Sequence, residues 1–279
     1  MKKYYIIFIC LFSLLGCLKE EQNPNQELSD AQQALTEKDY IEAEKCFDRY
    51  LRHYPDGTKR WEAWNSLLDL TIDIKQDERL AIEILETMLV EFEENPKKSR
   101  IIILKLGEKY HELRKWEDSA RVWVKILKDH GASSEEKALA YRRLSTAYLR
   151  RLEFEPAREA LKYCLNLNVS DETKSLCLYE LADALMIMEE LPEAETTLEK
   201  LLGEKSVSEQ TRVMATFMLA DVAEQLGKNE KAQKLFHSIL DLYPNKKVVE
   251  IRLQNNTPQK PPLPQQPSNK NKRQNNRAF

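Results

Sequence analysis

The sequence predicts an all-α fold, an α-solenoid of about six helix pairs, and three observations carry that prediction. The 279 residues hold 43 basic and 46 acidic side chains but only six glycines, a composition suited to long solvent-facing helices. Apolar residues recur at i, i+3, i+4 and i+7 in segments that come in pairs. In the second segment of each pair a small residue is followed four positions later by a large apolar one: Ala43/Phe47, Ala81/Leu85, Ser119/Trp123, Ala157/Leu161, Ala194/Leu198 and Ala232/Phe236. Successive small residues stand 38, 38, 38, 37 and 38 positions apart, a period that chance does not generate.

The first helix of each pair has its own mark twelve residues upstream, at Ala31, Asp69, Gly107, Ser145, Ala182 and Ala220. In the later pairs the neighbours agree: Leu106-Gly107 with Tyr110, Leu144-Ser145 with Tyr148, Leu181-Ala182 with Leu185, and Leu219-Ala220 with Ala223. This resembles the tetratricopeptide pattern of Leu-Gly-x-x-Tyr, then Ala-x-x-x-Phe, then Pro, with Pro55 and Pro244 in the last place. The resemblance runs over roughly residues 26–245 and implies antiparallel helix pairs whose first helices line a groove for protein segments. The period is longer than is usual for that family, and Asp69 stands where a small residue belongs.

Small side chains let two helices approach closely, and the large residue one turn later fills the space beside them. Each pair still leaves an apolar face uncovered, so the next pair must stack on it. Pro156 and Pro192 fall in the first turns of second helices, where a missing N–H costs nothing. Ser133 with Glu136, and Ser206 with Glu209, read as capping boxes that open first helices. Val248–Leu253 is expected to close the last repeat, which would otherwise expose its apolar face.

At the N-terminus, Lys2 and Lys3 precede an apolar run from Tyr4 to Leu15, which ends in Leu14-Leu15-Gly16-Cys17. The run suits a signal-peptide core and is too short to span a bilayer. The junction resembles the bacterial lipobox, which implies cleavage before Cys17, diacylglycerol on its thiol and acylation of the new amino group. Several acyl chains make a stable anchor where one is marginal. Leu18, in place of Asp, resembles the sorting signal of outer-membrane lipoproteins that face the periplasm. The expected organisation is a signal peptide over 1–16, a lipidated cysteine and short tether over 17–26, the helical array over 27–254, and a basic Asn/Gln/Pro-rich tail over 255–279.

Charge and motifs exclude several functions. The tail carries Lys260, Lys270, Lys272, Arg273 and Arg277 and no acid, so the body from Cys17 to Gln254 has a net charge of −10. Such a body does not select nucleic acid. No Gly-rich phosphate loop is present, and no carboxylate pair is set apart in an apolar context. His53, His111, His130 and His237 are scattered and no CxxC occurs, so neither a metal nor another cofactor is expected. No catalytic residue and no small-molecule substrate is indicated. Cys164 and Cys177 fall on a second helix and the following first helix. Two small buried thiols is the reading these residues favour; antiparallel packing could bring them close, and a bond is the alternative that an extracytoplasmic compartment permits.

The tetratricopeptide resemblance implies groove positions on the first helices. These are Leu104, Glu108 and His111; Arg142, Thr146 and Leu149, with Arg150 beside them; Tyr179, Asp183 and Met186, with Ile187; and Phe217, Asp221 and Glu224. Members that grip a terminal carboxylate need asparagines where this chain has Gln32, Leu70, Glu108, Thr146, Asp183 and Asp221, so that function is not expected. Arg142, Leu149, Arg150, Tyr179, Met186, Ile187 and Phe217 combine arginine with aromatic and aliphatic surface, the composition of an interface core. Trp116 and Trp123 read as core, while Trp61 and Trp64 are less determined. The expected role is an envelope scaffold for other proteins or peptides, anchored to the membrane by lipid. Asp39-Tyr40 through Tyr54-Pro55 resembles the lipoprotein subunit of the outer-membrane β-barrel assembly machine, which is one alternative. A glycan-binding lipoprotein is another, and it requires an exposed aromatic row.

Overall fold

The computed structural model describes residues 24–255, and every regular element among them is helical. Thirteen α-helices follow in order: α1 Pro24–Thr36, α2 Tyr40–His53, α3 Arg60–Asp69, α4 Glu78–Glu91, α5 Pro96–Glu112, α6 Trp116–Lys128, α7 Ser134–Arg150, α8 Phe154–Leu165, α9 Asp171–Ile187, α10 Leu191–Gly203, α11 Glu209–Gln225, α12 Asn229–Ile239 and α13 Lys246–Asn255. A π-helical turn, Leu70–Lys75, continues α3. None of the described helices is long and apolar enough to cross a membrane. The first described helix begins with the described residues themselves, at Pro24. Cys17 and the tail beyond Asn255 lie outside the described residues.

The period seen in the sequence reappears as burial. Ala43, Ala81, Ser119, Ala157, Ala194 and Ala232 are each 0% exposed. Their partners one turn later, Phe47, Leu85, Trp123, Leu161, Leu198 and Phe236, are buried with them. Five residues before each small residue the backbone takes a left-handed conformation, at Lys38, Gln76, Arg114, Leu152, Glu189 and Gly227. These residues end the first helices. At Arg114, for example, the next N–H (Lys115) donates to Tyr110 O at 2.8 Å, while Arg114 N donates to His111 O at 3.0 Å. That is the Schellman arrangement, which satisfies orphan carbonyls and turns the chain back for the second helix.

The second pair departs from this scheme, and the departure explains Asp69. Its closing bond runs from Asp77 N to Thr71 O, one residue longer than elsewhere, because the helix widens into the π turn. The inserted residue rotates the preceding register by one, so Leu68 faces inward with 0% exposure and Asp69 is exposed. Counting back twelve therefore fails in this repeat alone, since an inserted residue is invisible to a fixed spacing.

Caps mostly follow expectation. Ser133 and Glu136 form a capping box. Before α11, however, Ser208 rather than Ser206 accepts from Thr211 N, because the helix begins at Glu209 and Ser206 lies too far upstream. Asn95 caps α5, whose first residue is Pro96.

The described residues divide into two compact units at the turn after α7, one ending at Arg151 and the other beginning at Leu152. In the first unit, ion pairs tie consecutive repeats: Lys75 to Glu44 at 2.8 Å, Lys109 to Glu78 at 3.0 Å and Arg143 to Glu108 at 2.9 Å. In the second unit Lys228 and Lys231 share Glu195 at 2.5 and 2.6 Å. The Lys75–Glu44 and Arg143–Glu108 pairs, with about a third of each side chain exposed, are worth little in stability and chiefly fix register. In the second unit the closing helix exists as expected. Val249 of α13 is 0% exposed in a cluster with Ala220, Ala223, Ala232 and Phe236.

Candidate functional site

In the first unit, the inner sides of three first helices enclose an open-sided cleft of about 530 Å³. Ile72 comes from the π turn, Leu104, Lys105, Glu108 and Lys109 from α5, and Glu135, Glu136 and Leu139 from α7, over Leu85 of α4. Helical spacing places these α5 residues together, since positions three and four apart share a face. Of the α5 positions singled out in the sequence, Leu104 and Glu108 line this cleft. The His111 ring packs edge-on against Trp116 with centroids 5.2 Å apart. Burial, followed by the Arg143 charge, holds the His111 imidazole below its ordinary range.

The expected interface residues fall in both units. In the first unit Arg142 and Leu149 are half-buried on α7 and Arg150 is its exposed last residue. Arg143, between Arg142 and the core position Leu144, is the arginine that pairs with Glu108. In the second unit Tyr179 and Met186 are half-buried on α9, and Ile187 is 46% exposed. Burial pushes the Tyr179 phenol up, with Asp183, Tyr243 and Glu180 adding to the effect.

Phe217 is a correction. It stacks on Tyr243 with ring centroids 4.5 Å apart and meets Phe236 edge-on at 5.5 Å, so it belongs to the closing cluster. Its neighbours on the same face are also spent, since Arg252 of α13 pairs with Asp221 and, at 2.8 Å, with Glu224. The closing helix takes the place a further first helix would occupy. Repeat spacing alone could not reveal this, because the cover comes from residues beyond the last repeat.

All four tryptophans are engaged. Trp123 is 0% exposed, and Trp116 packs on His111. Trp61 meets Phe92 edge-on at 5.1 Å, and the Lys98 ammonium lies 4.6 Å from the Phe92 ring. Trp64 donates to Glu91 at 2.7 Å, where Arg60 also binds at 2.6 Å. These groups pin α3 to the end of α4 and form no exposed aromatic row. Cys164 of α8 and Cys177 of α9 are both 0% exposed, with Cα atoms 6.1 Å apart and their sulfurs joined. Cys46 is a buried thiol whose Sγ accepts from Arg49 Nη2 at 3.0 Å.

Antiparallel helix pairs of constant period, stacked through small residues and closed by a terminal helix, define an α-solenoid repeat protein. Within it, residues 214–246, the sixth pair, match the tetratricopeptide repeat family. Solved structures agree on the fold. The C-terminal part of a tetratricopeptide repeat-containing protein from Cytophaga hutchinsonii is 17% identical with a TM-score of 0.59, the match covering 89% of this chain and 94% of that one. PilW, a widely conserved type IV pilus biogenesis factor, is 19% identical at a TM-score of 0.55, over 84% and 98% of the two chains. Pseudomonas aeruginosa pilF is 15% identical at 0.51, over 83% and 95%. No curated protein matches the chain in sequence.

Proposed function

We propose that this protein is a scaffold for protein–protein interaction, held at a bacterial envelope membrane through lipid on Cys17, that engages partners along the inner faces of its first helices. The observation that carries the binding reading is the 530 Å³ cleft in the first unit, where Ile72, Leu104 and Leu139 meet on three consecutive first helices. Preformed apolar concavity with few convergent polar groups is what recognition of an anchoring side chain requires. The engaged tryptophans remove the platform that glycan binding would need, which favours a protein ligand. A likeness of fold to PilW suits a role in envelope assembly and goes no further than fold.

The anchor reading rests on Lys2, Lys3, the Tyr4–Leu15 run and Leu14-Leu15-Gly16-Cys17. The paired state of Cys164 and Cys177 accords with folding in an oxidising compartment.

Two variants test the proposal separately. Cys17→Ser should move the protein out of the membrane fraction, and unchanged fractionation without lipid at residue 17 would defeat the anchor. Leu104→Glu with Leu139→Glu should keep helicity and membrane location while losing the main co-purifying partner. Retention of every partner at wild-type yield would place the binding surface elsewhere.

A further inference from the structure

The cleft in the first unit holds a charge that the protein itself does not spend. Among the ionic side chains lining it, Lys109 is held by Glu78 at 3.0 Å and Glu112 at 2.9 Å. Glu108 is held by Arg143 at 2.9 Å, and Glu136 by the Ser133 N–H and hydroxyl at 2.7 and 2.9 Å. Lys105 differs. Among the described residues it makes no ion pair, and its ammonium reaches only Asn65 Oδ1 at 3.4 Å, a long contact for a charged donor. Its side chain is half-buried beside Ile72, Leu104 and Leu139.

A cation partly withdrawn from water against apolar surface is costly until a counter-charge reaches it. In a body of net charge −10 that position is the more conspicuous, because Glu108 and Glu136 line the same cleft yet turn to Arg143 and Ser133 instead. The cleft is open along one side, which suits side chains carried in on another polypeptide better than an enclosed acyl chain. Its volume is within the usual range for ligand pockets.

Resting on the reading that the inner face binds partners, we propose that this site selects a polypeptide segment with an apolar anchor and, within one helical turn of it, a carboxylate. The anchor fills the space over Leu85 between Leu104 and Leu139, and the carboxylate pairs with Lys105 Nζ, displacing the weak contact to Asn65. Segments with a basic residue beside the anchor are disfavoured, since Lys105 would then face a like charge in a partly desolvated cleft.

Two probes of similar shape separate charge from apolarity in the purified chain: 8-anilinonaphthalene-1-sulfonate, an aromatic anion, and the uncharged N-phenyl-1-naphthylamine. Lys105→Met keeps the aliphatic stem and should weaken the anion about tenfold, the worth of a charged hydrogen bond, while the neutral probe changes less than about twofold. Lys105→Arg should retain the anion, and Leu104→Glu should weaken both probes. Equal affinity of the wild type and Lys105→Met for the anion overturns the proposal. In membranes, a photo-crosslinking p-benzoylphenylalanine introduced at Leu139 should capture a protein segment with an acid next to the apolar contact, and Lys105→Glu should suppress that product. Capture of lipid, of a segment without a nearby acid, or a yield indifferent to Lys105→Glu overturns the selectivity. The last two of those results leave the groove itself standing. Undiminished partner retention by the Leu104→Glu, Leu139→Glu variant instead defeats the groove reading, while the probe titrations still judge Lys105.

Discussion

The α-carbon of Gly107 faces the indole of Trp123 so closely that an added Cβ would lie 2.7 Å from the ring. Trp123 is 0% exposed and has no room to withdraw. Repeat three thus joins the smallest residue to the largest. At the corresponding places, repeat five has Ala182 with Leu198 and repeat two Leu68 with Leu85, all buried.

Gly107→Ala should therefore destabilise the protein although alanine is the better helix former. Overpacking costs about 1–3 kcal/mol and helix propensity returns at most about 1, so a net loss is expected in chemical denaturation. Adding Trp123→Leu should recover part of it, because a small residue then faces a leucine, as in repeat five. An unchanged midpoint for Gly107→Ala would show that the indole can shift.

The turns within repeats make an opposite pair of tests. Gly227 has φ of 74° and open space around its Cβ position, so Gly227→Ala should cost about 1 kcal/mol through the backbone alone. Leu152 adopts φ of 62° while 73% exposed, so Leu152→Gly should stabilise the fold by less than about 1 kcal/mol, read as a modestly higher thermal midpoint. A lower midpoint for Leu152→Gly would mean that its side chain makes contacts that outweigh the backbone strain.

The closing helix should act as a cover. A chain cut after Asn245 loses Val249 from the cluster around Phe236 and also Arg252 from beside Asp221 and Glu224. It should show concentration-dependent self-association in sedimentation velocity, whereas a chain cut after Asn255 should not. Equal behaviour of the two would contradict the assigned role.

Cysteine labelling tests the bond in the second unit. In denatured, unreduced protein Cys46 should react while Cys164 and Cys177 stay protected; labelling at all three would exclude the bond. Reduction, or the double Ser variant, should lower stability by roughly 3 kcal/mol, as expected for closing a loop with a separation of 13 residues.

How far the sequence could be read varied with how local each determinant was. Ala43/Phe47 through Ala232/Phe236 announce the helix pairs, because the requirement for small beside large is met within five residues. The left-handed turns carry the same period but only Gly227 advertises itself; Lys38, Gln76, Arg114, Leu152 and Glu189 give no compositional sign. Repeat position places Leu104 and Glu108 on the side of α5 that lines the cleft. Lys105 was not legible, since its lack of an ion pair depends on which way every neighbouring carboxylate turns.

By itself, the sequence determined the all-helical repeat, its period and the buried small positions, all of which follow from side-chain size at fixed helical spacing. Only the tertiary structure decided which repeat positions remain available. The π turn exchanged Leu68 for Asp69, Tyr243 and Arg252 covered Phe217, Asp221 and Glu224, and ion pairs satisfied Glu108 and Lys109 but not Lys105. Availability is settled by contacts between elements distant in the chain, and a local period contains no record of them.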